Sequence, residues 1–163
     1  MMLPYFVVAD ATPLHYLVLI GEIDLLERLY GQIAVPSAVV DELSATNTPT
    51  SVRSWVASLP PWVSIFPHAE MDPLFFPALG LGEREAISLV LGIRNGILLT
   101  DDLRARAGAE SVGVQVVPTV RILSTASSMS LVNFEDAMAR LRQTNFRISQ
   151  RVIEQIRRRQ PPR

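Results

Sequence analysis

Residues 97–106 read ILLTDDLRAR. An apolar run ends in two adjacent aspartates, and arginines follow. The run Ile97 to Thr100 reads as a buried strand, preceded by the turn pair Asn95-Gly96. The aspartates suit a helix start, because aspartate caps helix N-termini and favours the positive end of the macrodipole. They equally suit a metal site, since two like charges at a strand tip need something to neutralise them. The rest of the chain decides between these.

Outward from that stretch the same alternation recurs. YFVVAD (5–10) is an apolar, β-branched strand, and 11–31 carries helical spacing, divided near Gly21 and stopped at Gly31. QIAVP (32–36) is a second strand, and SAVVDELS (37–44) a helix with Ser37 as its cap. A short helix within 48–61 is closed by two prolines, and WVSIF (62–66) is a strand at a sheet edge. The Pro- and Gly-rich segment 67–82 is the loosest part. A helix over 82–96, ending at Asn95-Gly96, precedes the ILLT strand. A helix over 101–113 and a last strand, VQVVP (114–118), follow it. The strands are apolar throughout, as in a parallel sheet covered on both faces. The fold class is therefore α/β, a parallel-sheet three-layer α/β/α sandwich. Residues 1–128 form the body. Residues 129–163 form a helical, arginine-rich extension packed on it or extending it, with Ile148, Val152, Ile153 and Ile156 on one stripe of 147–160.

The chain of 163 residues, 48% hydrophobic and 19% charged, is one compact domain by length and composition. It has no cysteine, which removes disulfides and thiolate metal sites and suits a cytoplasmic location. The opening residues lack a basic n-region and read as a first strand, not a signal peptide. No stretch approaches the ~20 apolar residues of a membrane span. The net charge of −1 is unevenly spread. Residues 1–128 hold seven arginines against thirteen acidic residues, and 129–163 hold eight against three. An acidic body with a basic terminal element is an arrangement that meets phosphate or an acidic partner. There is no lysine, no Asp-x-Asp after the first strand and no glycine-rich phosphate loop. Receiver, dehalogenase-type and nucleotide-binding readings therefore lack support.

Open parallel sheets carry function at the carboxyl ends of their strands. Asp10 ends the first strand there, and Asp101 and Asp102 end the ILLT strand. Two further acids sit on helices. Glu42 is preferred over Asp41 because it lies three residues after Val39. Glu85 is preferred over Glu83 because it directly precedes the apolar stretch, whereas Glu83 follows Gly82 and suits the helix N-terminus. Four or five converging carboxylates require a cation among them, and hard oxygen ligands suit Mg²⁺ or Mn²⁺. Such an ion points to phosphodiester hydrolysis.

In order, DATPL (10–14), VPSAVVDEL (35–43), GEREAI (82–87) and LLTDDLRAR (98–106) resemble a PIN domain, the VapC-type ribonuclease fold. They are most similar to a bacterial and archaeal PIN-like subgroup, over about residues 5–125. The resemblance implies a catalytic cluster of Asp10, Glu42, Glu85 and Asp101. In it Asp10, Glu85 and Asp101 bind Mg²⁺ or Mn²⁺, Asp102 stands beside them, and Glu42 acts through water. It implies an RNA substrate and places Thr12 near the metal. Arg104 and Arg106 bind RNA phosphate, steady the aspartates or pair on the surface, and the run Arg157 to Arg159 either tracks the RNA backbone or frays at the terminus. Homodimerisation and an antitoxin protein as partner are further implications. Two departures stand out: Ala11 where Ser or Thr is common, and Pro118-Thr119 where Gly-Thr is usual. The function so implied is a metal-dependent ribonuclease hydrolysing RNA phosphodiester bonds, as the toxin of a toxin–antitoxin pair. The alternative is a catalytically weak PIN-like scaffold that binds an antitoxin or nucleic acid.

Overall fold

The computed structural model describes residues 5–67, 79–91, 93–147 and 150–158. Five short strands form one sheet: β1 (Phe6–Ala9), β2 (Ile33–Pro36), β3 (Val63–Phe66), β4 (Gly96–Leu99) and β5 (Gln115–Val117). Their order is β3-β2-β1-β4-β5, and every neighbouring pair is parallel. The edge position expected for the third strand is the observed one. The chain builds outward from β1 in one direction through β2 and β3, then returns to lay β4 on its other side. The boundary between β1 and β4 is thus a topological switch point, where an open sheet leaves a crevice outside the carboxyl ends of its strands.

Alternate residues of each strand enter two cores. Val7, Ala9, Ile33, Val35, Ile97 and Leu99 face the larger one, and Val8, Ala34 and Leu98 the smaller. Both faces are therefore covered, which is why the strands read as continuous apolar runs. On the first face lie α1 (Ala11–Leu19), α2 (Leu25–Tyr30), α3 (Ser37–Leu43) and α4 (Thr50–Ala57). On the second lie α5 (Leu81–Val90) and α6 (Leu103–Ser111). The chain then returns to the first face with α7 (Thr119–Ser128), α8 (Phe134–Arg142) and α9 (Gln150–Arg158). The result is a three-layer α/β/α sandwich. No helix among the described residues is long and apolar enough to cross a membrane.

Two local expectations need correction. Pro36 occupies the N-cap position of α3, and Ser37 is its first helical residue. The helix expected to reach Asn95-Gly96 stops at Val90. Asn95 takes a left-handed φ of 62°, which ends helical progression, and Gly96 already pairs with Phe6 in the sheet. A Cβ at Gly96 would lie 2.4 Å from Val90 Cγ2, so only glycine lets β4 start this close to the helix that precedes it.

The C-terminal helices are part of the larger core. Phe134, Met138 and Leu141 of α8 and Ile153 and Ile156 of α9 are buried in it. Arg140 ties α8 to the end of α1, donating through Nη1 to the Ile20 carbonyl and through Nη2 to Glu22 at 2.7 Å. Arg157 makes a bidentate pair with Glu135, both contacts at 2.7 Å, so this member of the arginine run is engaged within the chain. Ile148, Arg159, the side chain of Val152 and most of 67–82 lie outside the described residues.

Candidate active site

The crevice at the switch point is built by residues that leave the sheet one step beyond its last paired positions. Ala9 pairs with Leu99, so Asp10 and Thr100 emerge side by side. Asp10 caps α1, and its Oδ1 accepts from the Ala11 amide at 2.8 Å. Its Oδ2 accepts from Thr100 Oγ1 at 2.9 Å. Asp10 is 4% exposed and Thr100 1%. Burial lifts the Asp10 carboxyl from an ordinary 3.8 to about 7, and the charges of Glu83 and Glu42 push the same way. The bonds from Ala11 and Thr100 oppose the rise without cancelling it.

The paired aspartates divide their work. Asp102 caps α6, with Oδ1 accepting from the Arg104 amide at 2.8 Å and the Ala105 amide at 2.9 Å, while its own amide donates to Thr100 Oγ1 at 3.2 Å. Asp101 turns toward β5 and α7. Its Oδ1 accepts from the Thr119 amide at 2.8 Å and its Oδ2 from Thr119 Oγ1 at 2.5 Å. Burial raises the Asp101 carboxyl, and both bonds from Thr119 resist the rise. Pro118-Thr119, a departure from the usual pair, thus supplies the partner of Asp101.

Three further acids border the crevice. Glu42, in the last turn of α3, lies on an exposed rim, yet partial burial of its carboxyl and then the charge of Glu83 raise it. Glu83 stands in the first turn of α5, where its Oε2 accepts from the Gly80 amide at 2.7 Å. It does cap that N-terminus, as its position after Gly82 implies, and its charge also reaches both Asp10 and Glu42. Glu85, the sequence-based choice on this helix, is 2% exposed and belongs to the buried stripe with Ala86, Ile87 and Val90. Because α5 begins near the carboxyl ends of the strands and runs back along the sheet, its N-terminal half, with Glu83 and Glu85, lies toward the crevice. Sequence reasoning gave Glu83 only a helix-terminal role, noted Thr119 only within the Pro118-Thr119 departure, and did not single out Thr100. Threonine directly after an apolar run was the signal available for Thr100.

Thr12 lines a cleft of about 220 Å³ together with His15, Tyr16, Glu42 and Thr48. The arginines are placed differently from one another. Arg104 has an exposed side chain, and its amide bonds Asp102. Arg106 pairs with Glu110 at 2.9 Å along α6, both side chains about half exposed, a contact of small energetic worth.

Among the described residues no group of three or more His, Asp or Glu side chains stands close enough to hold an ion. The donor class nevertheless fits a hard divalent cation. The charges of Glu42 and Glu83 raise the affinity of the Asp10 carboxyl for positive charge, and that of Glu83 does the same for Glu42. Mg²⁺ in particular keeps several waters and takes only one or two protein carboxylates.

A family model described as a PIN domain matches residues 6–160. No curated protein matches the chain, and neither does any solved structure.

Proposed function

Because this chain belongs to the PIN-domain family, we propose that it is a metal-dependent ribonuclease with its active site at the β1–β4 crevice. PIN domains are generally nucleases. The observation that carries the reading is the state of Asp10. A nearly buried carboxyl is lifted to about 7 by burial together with two carboxylates from other elements. Such a pocket stores affinity for a cation and repels an unaccompanied phosphate.

Asp10 and Asp101 would hold Mg²⁺ or Mn²⁺ together with a glutamate of α5, Glu85 or Glu83, with waters completing its shell and Asp102 beside them. The chemistry a bound ion supplies is activation of a water and charge balance at the leaving oxygen. The chain's own part is positional. Thr100 fixes Asp10 Oδ2, and Thr119 fixes Asp101. Glu42, on the rim, would orient an attacking water. Oxygen atoms that accept one bond keep a second lone pair for a further contact.

The role of toxin in a toxin–antitoxin pair, with an antitoxin protein bound and the chain as a homodimer, belongs to the same proposal. The engagement of both Asp101 oxygens by Thr119 favours a second reading, a catalytically weak PIN-like scaffold that binds an antitoxin or nucleic acid. Incubating the purified chain with single-stranded RNA in Mn²⁺, in Mg²⁺ and in EDTA separates the two. Metal-dependent cleavage that EDTA stops and Asp10→Asn abolishes is expected. Undiminished cleavage by Asp10→Asn would exclude this centre.

A further inference from the structure

We propose that the cleft between α1 and α3 is a subsite for one unpaired RNA base, walled by His15. The assignment rests on the ribonuclease reading above and names how that site takes its substrate.

Position comes first. Glu42 lines the cleft and also belongs to the carboxylate group around Asp10, so the cleft adjoins the place where a phosphate is to be cut. Tyr16, another lining residue, lies near enough to Asp101 to feel its charge. A nucleotide seated here lies directly beside the carboxylates.

Chemistry decides the occupant. The described lining has aromatic side chains, two hydroxyls from Thr12 and Thr48, and one carboxylate from Glu42. It contains no lysine or arginine. Desolvation also holds His15 below its ordinary range, so its imidazole is neutral at neutral pH. Such a wall does not attract phosphate. It suits a neutral, flat group with a polar edge, which is what a nucleobase presents. The His15 and Tyr16 rings lie 4.7 Å apart at 52°. Tyr16 is braced edge-on by Phe146 at 4.8 Å and donates its hydroxyl to Asn145 at 2.8 Å. Tyr16 is therefore held in place and backs the His15 ring, so this side of the wall loses little freedom when a base arrives.

Size agrees. The cleft of about 220 Å³ is smaller than the ~300–1,000 Å³ of sites for drug-sized ligands and takes one base. Entry requires a base splayed out of any helix, which only unpaired RNA offers at low cost.

The test compares wild type, His15→Ala, His15→Phe and Thr48→Trp on a fluorescein-labelled single-stranded RNA and on its annealed duplex. Cleavage kinetics are measured in Mn²⁺, and binding by fluorescence anisotropy. Thr48→Trp fills the cleft from a loop and leaves α1 intact, so it reports even if His15→Ala folds poorly. His15→Ala and Thr48→Trp are expected to raise KM on the single strand about tenfold with kcat little changed, within the range for stacking one base on an aromatic side chain. His15→Phe is expected to restore KM. Wild-type KM in both His15→Ala and Thr48→Trp overturns the subsite while leaving the nuclease reading in place. A chain that cleaves nothing yet binds single-stranded RNA in a His15-dependent way supports the subsite and removes the hydrolysis. A chain that neither cleaves nor binds overturns both.

Discussion

Thr100 donates its hydroxyl to Asp10 Oδ2 at 2.9 Å, across 90 residues of sequence, and Thr100 Oγ1 in turn accepts from the Asp102 amide at 3.2 Å. One nearly inaccessible hydroxyl therefore sets the orientation of the acid at the end of β1 against the turn that starts α6.

Replacing Thr100 with valine keeps the shape and removes both bonds. A buried acceptor and an amide then lose their partner, a loss that costs about 1–3 kcal/mol. The Thr100 bond lowers the Asp10 pKa, so its loss raises that pKa further. Urea denaturation of Thr100→Val at pH 8 is expected to show this destabilisation, with the Asp10 carboxyl titrating higher in carboxyl-detected NMR. Wild-type values in both measurements contradict the linkage.

The pH dependence of the cation-free protein follows from Asp10. Its folded pKa of about 7 lies above the ordinary 3.8 of an unfolded chain. The folded state therefore binds the proton more tightly. The stability gained is fully present below about 3.8 and is lost as the pH rises through about 7. A shift of about three units corresponds to roughly 4 kcal/mol. Burial raises Asp101 and Glu42 as well, so their contributions have the same sign. In EDTA, wild type should be more stable at pH 5 than at pH 8, and Asp10→Asn should flatten that difference and exceed wild type at pH 8. Denaturation curves with equal stability at both pH values count against the assignment.

Glu83→Gln separates charge from capping. Glutamine still accepts from the Gly80 amide, so the start of α5 survives. The charge that raises Asp10 and Glu42 disappears. The variant should melt at or above the wild-type temperature at pH 8 without metal, and it should lose more than tenfold in cleavage rate. Full activity would show that Glu83 serves the helix alone.

Thr119→Val removes the hydroxyl bonded to Asp101 Oδ2 but leaves the amide bonded to Oδ1. Thr119 is fully buried, so a loss of about 1–3 kcal/mol is expected. The Asp101 carboxyl should rise further, because both Thr119 bonds hold it down. A carboxyl-detected NMR titration of Asp101 reads that change directly. An unshifted titration curve would mean that Thr119 does not support the charged form.

The sequence by itself determined the class of fold, and Asp10 and Asp101 show why. Apolar runs of four or five residues between helical spacings can bury themselves only as a covered parallel sheet, and an acid directly after such a run must emerge at the strand's carboxyl end. The capping by Asp102 was legible for the same reason, since capping is local chemistry. Only the tertiary structure decided how α5 is rotated. Packing Ala86, Ile87 and Val90 against the sheet leaves Glu83 in the capping turn, from which its charge reaches Asp10, and buries Glu85 beside them. Thr100 and Thr119 became visible as partners in the same way, because strand register and the placement of α7 bring together groups that are 90 and 18 residues apart in the chain. Local order fixes where a charge leaves its strand. Long-range packing fixes what that charge meets.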